Sequence, residues 1–192
     1  QLGGLVVPPR QRRGLADQVT WPIFFHEPMP AVREFIAANG IPASFEQIYA
    51  AMGKSFKNTW QQFVVPGAPH SVSEDAYRTV MSKSRPALQR RYSDLAFAQA
   101  DTLVFPTTPC TAPRIDSQWK FSVAGKEVTH LYLSRNTYPG SGAGLPGISI
   151  PMGSSQDALP FGLEMDGPAG SDGKLLQLAH RIERVLAVRA TA

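Results

Sequence analysis

The chain has 192 residues, 43% of them hydrophobic and 18% charged, a balance that excludes a disordered tract and supports a packed core. Its net charge is +4, yet the basic residues are scattered, with small groups only at Arg10, Arg12, Arg13 and at Arg90, Arg91; without a basic stripe interleaved with aromatics, no nucleic-acid partner is expected. No apolar run approaches the roughly 18–20 residues that span a bilayer, and a single cysteine, Cys110, excludes an intrachain disulfide and a cysteine-built zinc site.

The start, QLGGLVVPPRQRRG, lacks the charged-then-apolar pattern of a secretory signal and has no initiator Met, so Gln1 reads as an internal residue. Together with the lone cysteine this points to a cytoplasmic location. Residues 1–20 read as irregular, with a short strand at Leu5–Val7 stopped by Pro8 and Pro9. Ala31, Val32, Phe35 and Ile36 fall at helical spacing over residues 28–39, and Asn39 with Gly40 stands where a left-handed cap belongs. Ser44 and Gln47 form a capping-box pattern that opens a second helix, with Phe45, Ile48, Tyr49 and Met52 on one face and a stop at Gly53. A short helix follows around Lys57–Phe63.

Beyond the PGAPH loop, Ser71 and Glu74 form another capping-box pattern, and helical spacing continues to about Ala98. Pro86 lacks a backbone donor and predicts a kink or break near Arg85. Leu103, Val104 and Phe105 then read as a strand closed by Pro106, and Trp119–Val128 as a hairpin around Gly125. Ile148–Pro151 and Phe161–Met165 are short buried strands. Ser171 and Asp172 cap a last helix whose Leu175, Leu176, Leu178, Ala179, Ile182 and Leu186 make one apolar face. Strands that are apolar on both sides need a larger sheet with helices on both faces. The chain therefore reads as α/β, a mainly helical segment over 1–100 and a mixed segment over 101–192, both part of one larger α/β/α sandwich with open sheet edges.

One ordered set of short elements runs from Asp101 to Leu176. A D-x-L-x-x-P-T-x-P element stands at Asp101, Leu103, Pro106, Thr107 and Pro109, followed by Ala112, Pro113 and Ile115. Thr137 precedes a G-x-P at Gly144, Leu145 and Pro146; an I-S-x-P-x-G strand follows at Ile148, Ser149, Pro151 and Gly153. An L-P-x-G-L stands at Leu159, Pro160, Gly162 and Leu163, and a helix start at Gly167, Ser171, Asp172, Leu175 and Leu176. In this order and spacing the set resembles the C-terminal end of the amidase signature family. Asn136, Thr137, Pro139, Gly140 and Ser141, with Glu164, Asp166, Gly167, Pro168, Ala169, Gly170, Ser171 and Asp172, are similar to the indoleacetamide and mandelamide hydrolase branch. The segment WPIFFHEPMPAVREFIAANGIPASFEQI is similar, less specifically, to the helical region before it.

Most of these positions also read as scaffold. Gly144 and Gly162 suit backbone that a β-carbon would hinder, Pro106, Pro146 and Pro151 suit strand ends, and Ser171 and Asp172 suit orphan N–H groups at a helix start. Asn136, Thr137 and Tyr138 are the exception, lying in a polar loop ahead of a buried strand, where ligand contacts are commonly placed. The resemblance implies that this loop faces the acyl side of a substrate pocket; a loop hydrogen-bonding itself is the plain alternative.

The family's chemistry uses a Lys, a cis-Ser and a nucleophilic Ser in a Gly/Ser-rich stretch, because a serine hydroxyl is a weak nucleophile until a base takes its proton. No such stretch stands free of other matches here: SGAG at 141–144 and GSS at 153–155 fall inside C-terminal elements, and Lys120, Lys126 and Lys174 match no triad position. No catalytic residue is therefore expected in this chain, which alone should be inactive, and the resemblance implies no cofactor and no metal. His26, His70, His130 and His180 form no G-x-S-x-G or H-E-x-x-H pattern, and Cys110 reads as a small buried residue.

The resemblance thus implies the C-terminal portion of an amidase that cuts a carboxamide, of arylacetamide type, to acid and ammonia through an acyl-serine. Its partners would be a small-molecule amide, the N-terminal catalytic part of the same enzyme and, as a further arrangement, a second copy in a homo-oligomer, with no membrane. The alternative is a noncatalytic truncated family member acting as a binding or assembly module. An unrelated basic α/β domain would instead show salt-dependent binding to polyanions.

Overall fold

A computed structural model describes residues 13–186. Contacts divide the chain into a helical unit, Asp17–Pro86, and a mixed unit of Ala87–Ala192 with the residues up to Ala16. The expected strand at Leu5–Val7 lies outside the described residues.

Irregular structure over residues 13–20 is a misreading: α1 runs Arg13–His26. Pro22 inside it and the lack of a capping signal hide the helix from local pattern. What supports it is side-chain packing at helical spacing: Trp21 stacks on Phe25 at 6.1 Å, the Trp21 indole donates to Asp17 at 3.3 Å, and Phe25 stacks on Phe63 at 4.5 Å. α2 is Pro28–Ala38, with proline in its first turn. It ends as expected: Gly40 takes φ +59°, Gly40 N–H donates to Ala37 O and Ile41 N–H to Ile36 O, the paired bonds of a Schellman stop.

The box at Ser44 forms in full. Gln47 N–H donates to Ser44 Oγ at 3.2 Å and Ser44 N–H to Gln47 Oε1 at 2.8 Å, opening α3, Phe45–Ala51. Buried Phe45 stacks on Tyr49 and Trp60, and Arg33 covers its ring. α4 is Lys54–Phe63, one turn longer than expected.

The next cap is shifted. Ser73, not Ser71, accepts from the Ala76 N–H and opens α5, Glu74–Thr79, while Ser71 Oγ donates to Ala68 O. The reason lies outside the local sequence: the His26 ring meets Val72 O at 3.1 Å and Glu74 Oε2 at 3.3 Å. That contact keeps residues 71–72 out of the helix and draws Glu74 away from a box with Ser71. The disturbance expected at Pro86 takes the form of a π-helical turn, Val80–Ser84, closed by Arg85 N–H donating to Val80 O. α6, Arg85–Arg91, follows, then a second π-helical turn, Tyr92–Phe97.

In the mixed unit, β1 (Leu103–Pro106), β4 (Gly147–Ser154) and β5 (Pro160–Asp166) form an antiparallel sheet in the order β1-β5-β4. β2 (Lys120–Val123) and β3 (Lys126–Thr129) form the expected hairpin. Ala124 and Gly125 both take positive φ between them, the turn whose twist matches a two-residue hairpin. Pro151 does not end its strand. It sits inside β4 beside a register shift between Pro151 and Gly153, where an edge strand tolerates a residue without an N–H.

Alternation along the strands gives the sheet two unlike faces. Ile148 and Ile150 of β4 and Leu163 and Met165 of β5 point one way and pack on α8, Asp172–Leu186, through Leu175, Leu178, Ala179 and Ile182. Met165 is fully buried there. Leu176 and Leu186, expected on the same helix face, are 59% and 41% exposed. Ser171 precedes α8 and its carbonyl accepts from Leu175 N–H, but its buried hydroxyl has no hydrogen-bond partner and so does not cap. No helix among the described residues is long and apolar enough to cross a membrane.

Candidate functional site

The opposite face of the same sheet is polar. Gly147 and Ser149 of β4 pair with Asp166 and Glu164 of β5, and Leu103 and Phe105 of β1 flank the same two acids from the other side. Period-two alternation thus sets Gly162, Glu164 and Asp166 in a row on one face of the central strand. Glu164 is 8% and Asp166 5% exposed.

Backbone without β-carbons makes this burial possible. A β-carbon on Gly147 would stand 2.9 Å from both Asp166 Oδ1 and Glu164 Oε1, so the two carboxyls converge on one point. A β-carbon on Gly140 would stand 2.4 Å from Asp166 Oδ2. Gly140 belongs to α7, Tyr138–Ala143, so this short helix rests directly on the Asp166 carboxyl. Its far end is fixed twice: Gly144 caps it at φ +75°, and the Gln89 side chain donates to Ala143 O at 2.9 Å.

Burial raises the proton affinity of both acids. Desolvation, helped by the charge of Glu164, lifts Asp166 to about 7. Burial also raises Glu164, offset in part by a hydrogen bond from Thr107. The Thr107 hydroxyl pairs with Ser149 Oγ at 2.5 Å, and Thr107 N–H donates to Gly162 O, extending the β1–β5 ladder by one residue. Gly162 is required beneath that pair, because its β-carbon would lie 2.4 Å from Ser149 Oγ and 2.9 Å from Thr107 Oγ1.

The loop singled out from sequence borders this cluster. Asn136 Nδ2 donates to Pro106 O at 2.8 Å, tying the loop to the end of β1 next to Thr107. Thr137 Oγ1 donates to Ser134 O at 3.1 Å, and Tyr138 is the first residue of α7. Asn136 therefore spends a hydrogen bond on holding the loop to β1, and Thr137 spends one on the loop's own turn. The acids Glu164 and Asp166 are what the sequence reading missed as a site. Their spacing of two within a strand placed them on one face, and that was the available signal.

Chemically, the face offers hydroxyls, two acids of raised proton affinity and a fixed loop. Among the described residues, neither lysine nor histidine is a hydrogen-bond partner of the Thr107–Ser149 pair. The expected non-matches are engaged elsewhere: Lys120 pairs with Glu127 and Lys174 with Asp101, and His130 packs edge-on to Trp119. His180 is exposed. Cys110 is half-buried, and burial pushes its thiol up, away from the thiolate a nucleophile needs.

The sheet is two-faced, with an apolar side under α8 and a glycine-lined polar side, and comparison with known proteins gives the chain a family. The family model for Amidase matches residues 7–176, and the chain belongs to the amidase signature family. It is 32% identical over 181 residues to a mandelamide hydrolase of Pseudomonas putida, covering 90% of this chain and 35% of that protein. It is 37% identical over 123 residues to an indoleacetamide hydrolase of Agrobacterium vitis, covering 63% and 26%. The chain thus spans about a third of the length of the curated relatives it matches. In fold it is similar to a crystal structure of an amidase (TM-score 0.66, 22% identity, 91% of this chain and 36% of that one). It is equally similar to an allophanate hydrolase of Kluyveromyces lactis (TM-score 0.66, 22% identity, 98% and 28%).

Proposed function

We propose that this chain is the pocket-forming C-terminal portion of an amidase that hydrolyses a carboxamide to a carboxylic acid and ammonia. The observation that carries the reading is the match of 90% of this chain to 35% of a mandelamide hydrolase, joined to a polar sheet face that holds hydroxyls but no activated nucleophile. In this reading the Lys, cis-Ser and nucleophilic Ser lie in a part of the enzyme outside this chain. The serine oxygen attacks the amide carbon as its proton leaves through the cis-Ser and Lys relay. Ammonia departs carrying that proton, and water then cleaves the acyl-serine to acid and free serine. Backbone N–H groups around the nucleophile hold the negative oxygen of each tetrahedral intermediate.

The role of this chain is to bound the acyl side. Asn136, Thr137 and Tyr138 would contact the substrate from a loop anchored to Pro106 O and Ser134 O. An Asn side chain has four hydrogen-bonding positions, and the bond to Pro106 uses one. An arylacetamide is the favoured substrate, since mandelamide and indoleacetamide hydrolases are among the relatives. The cytoplasm is the favoured location, on the single cysteine alone. The noncatalytic alternative draws on the same absence of a lysine at the hydroxyl pair. The two are separated by reading the coding frame upstream of Gln1 and assaying the longer polypeptide on an arylacetamide. Turnover with trapped acyl-serine supports the amidase reading; a stop codon and a native start at this point would sink it.

A further inference from the structure

We propose that Asp166 is a proton-operated support for the α7 platform: as a neutral carboxylic acid it seats Gly140 against the sheet, and its ionisation beside Glu164 loosens α7 and the Asn136–Tyr138 loop. The mechanical part is independent of what the protein does. The regulatory consequence, pH control of the substrate loop, rests on the amidase reading above.

The geometry leaves a carboxylate little relief. Asp166 Oδ2 faces the Gly140 backbone at a distance that admits no β-carbon, and Oδ1 shares the space over Gly147 with Glu164 Oε1. Solvent reaches only 5% of the residue, so water restores little of the hydration an anion loses. Among the described residues, no cation acts on it. β1 presents Leu103 and Phe105, β4 presents Gly147 and Ser149, β5 adds the Glu164 carboxyl, and α7 brings Gly140. Glu164 is the charge that acts on Asp166, and it acts to keep the proton on. Lys174 of α8 is paired with Asp101, both side chains in solvent. Ionised, the Asp166 carboxylate is pushed away from the Glu164 charge, and the α7 backbone at Gly140 is what its Oδ2 meets. Relief of that repulsion therefore displaces α7.

The sign follows from the two proton affinities. In the unfolded chain an aspartic acid ionises near 3.8, whereas Asp166 in the fold keeps its proton to about 7. The folded chain binds more protons between these values, so stability falls as pH rises through that window and levels off above it.

The test is amide hydrogen exchange on the full 192-residue chain from pH 5 to pH 8, with each rate divided by its intrinsic rate at the same pH. Protection over residues 140–145 is expected to drop tenfold or more across this range, while the Lys120–Thr129 hairpin stays level. Asp166→Asn keeps the shape and loses the titration, so its protection should be flat. Glu164→Gln removes the repelling charge and should move the midpoint to lower pH. A flat profile in the natural chain, or an unchanged drop in Asp166→Asn, overturns the proposal. If Asp166→Asn does not fold, the midpoint shift in Glu164→Gln decides, and an unmoved midpoint counts against it. Amide turnover by the longer polypeptide is scored separately, so a failed amidase reading leaves this result standing, and the reverse.

Discussion

The helical unit and the mixed unit differ in what most of their polar side chains build. Between α2 and α5, polar groups serve backbone ends a few residues away: Asn39 donates to Phe35 O, Ser44 and Gln47 close a box, and Ser73 accepts from Ala76. On the sheet, Thr107 reaches Ser149 across 42 residues of sequence, and two acids are buried against glycines from α7 and β4. Local bonds of the first kind set where helices begin and stop. Long-range contacts of the second kind build a surface with chemistry, at the expense of uncomfortable carboxyls. A site assembled this way depends on sheet register, and a helix cap does not.

That contrast predicts a ranking of damage. Met165→Ala, which empties the centre of the sheet–α8 core, should lower stability by about 2–5 kcal/mol, read by chemical denaturation. Its exchange protection should fall in β4, β5 and α8 and hold in α2–α4; equal loss in both units would break the comparison. Next, Asp166→Asn should raise stability at pH 7.5 and not at pH 4, by on the order of 2–4 kcal/mol, since one pH unit of proton affinity corresponds to about 1.4 kcal/mol. Gly140→Ala and Gly162→Ala force a β-carbon into the carboxyl and the hydroxyl pair, and each should cost about 1–3 kcal/mol. Gly173→Ala, with open space around its β position, is the matched control and should be near neutral. The smallest effect is Ser44→Ala, about 0.5–2 kcal/mol, with fraying confined to the start of α3 by exchange.

The same contrast accounts for what the amino-acid sequence disclosed. Ser44 with Gln47, Asn39 with Gly40, and Gly125 in its hairpin were legible because their partners lie within a few residues. The cap at Ser73 was misread as Ser71, because a ring 46 residues away holds Val72 O. α1 stayed hidden because Pro22 hides it and Phe63 packs on it from elsewhere. Glu164 and Asp166 were visible as motif letters, but their burial depends on Gly140 and Gly147, which only the folded register brings over them. The family resemblance filled part of that gap, since it records which loop and strand stand together without stating why.

In the reading proposed above, this chain shapes an amide pocket and does not cut the bond. Release of ammonia from an arylacetamide by the purified 192-residue chain tests it most directly, with the longer polypeptide from its reading frame assayed alongside. Background release is expected from the chain alone and turnover from the longer polypeptide. Turnover by the chain alone, abolished by Ser149→Ala, would place the nucleophile on this sheet and contradict it.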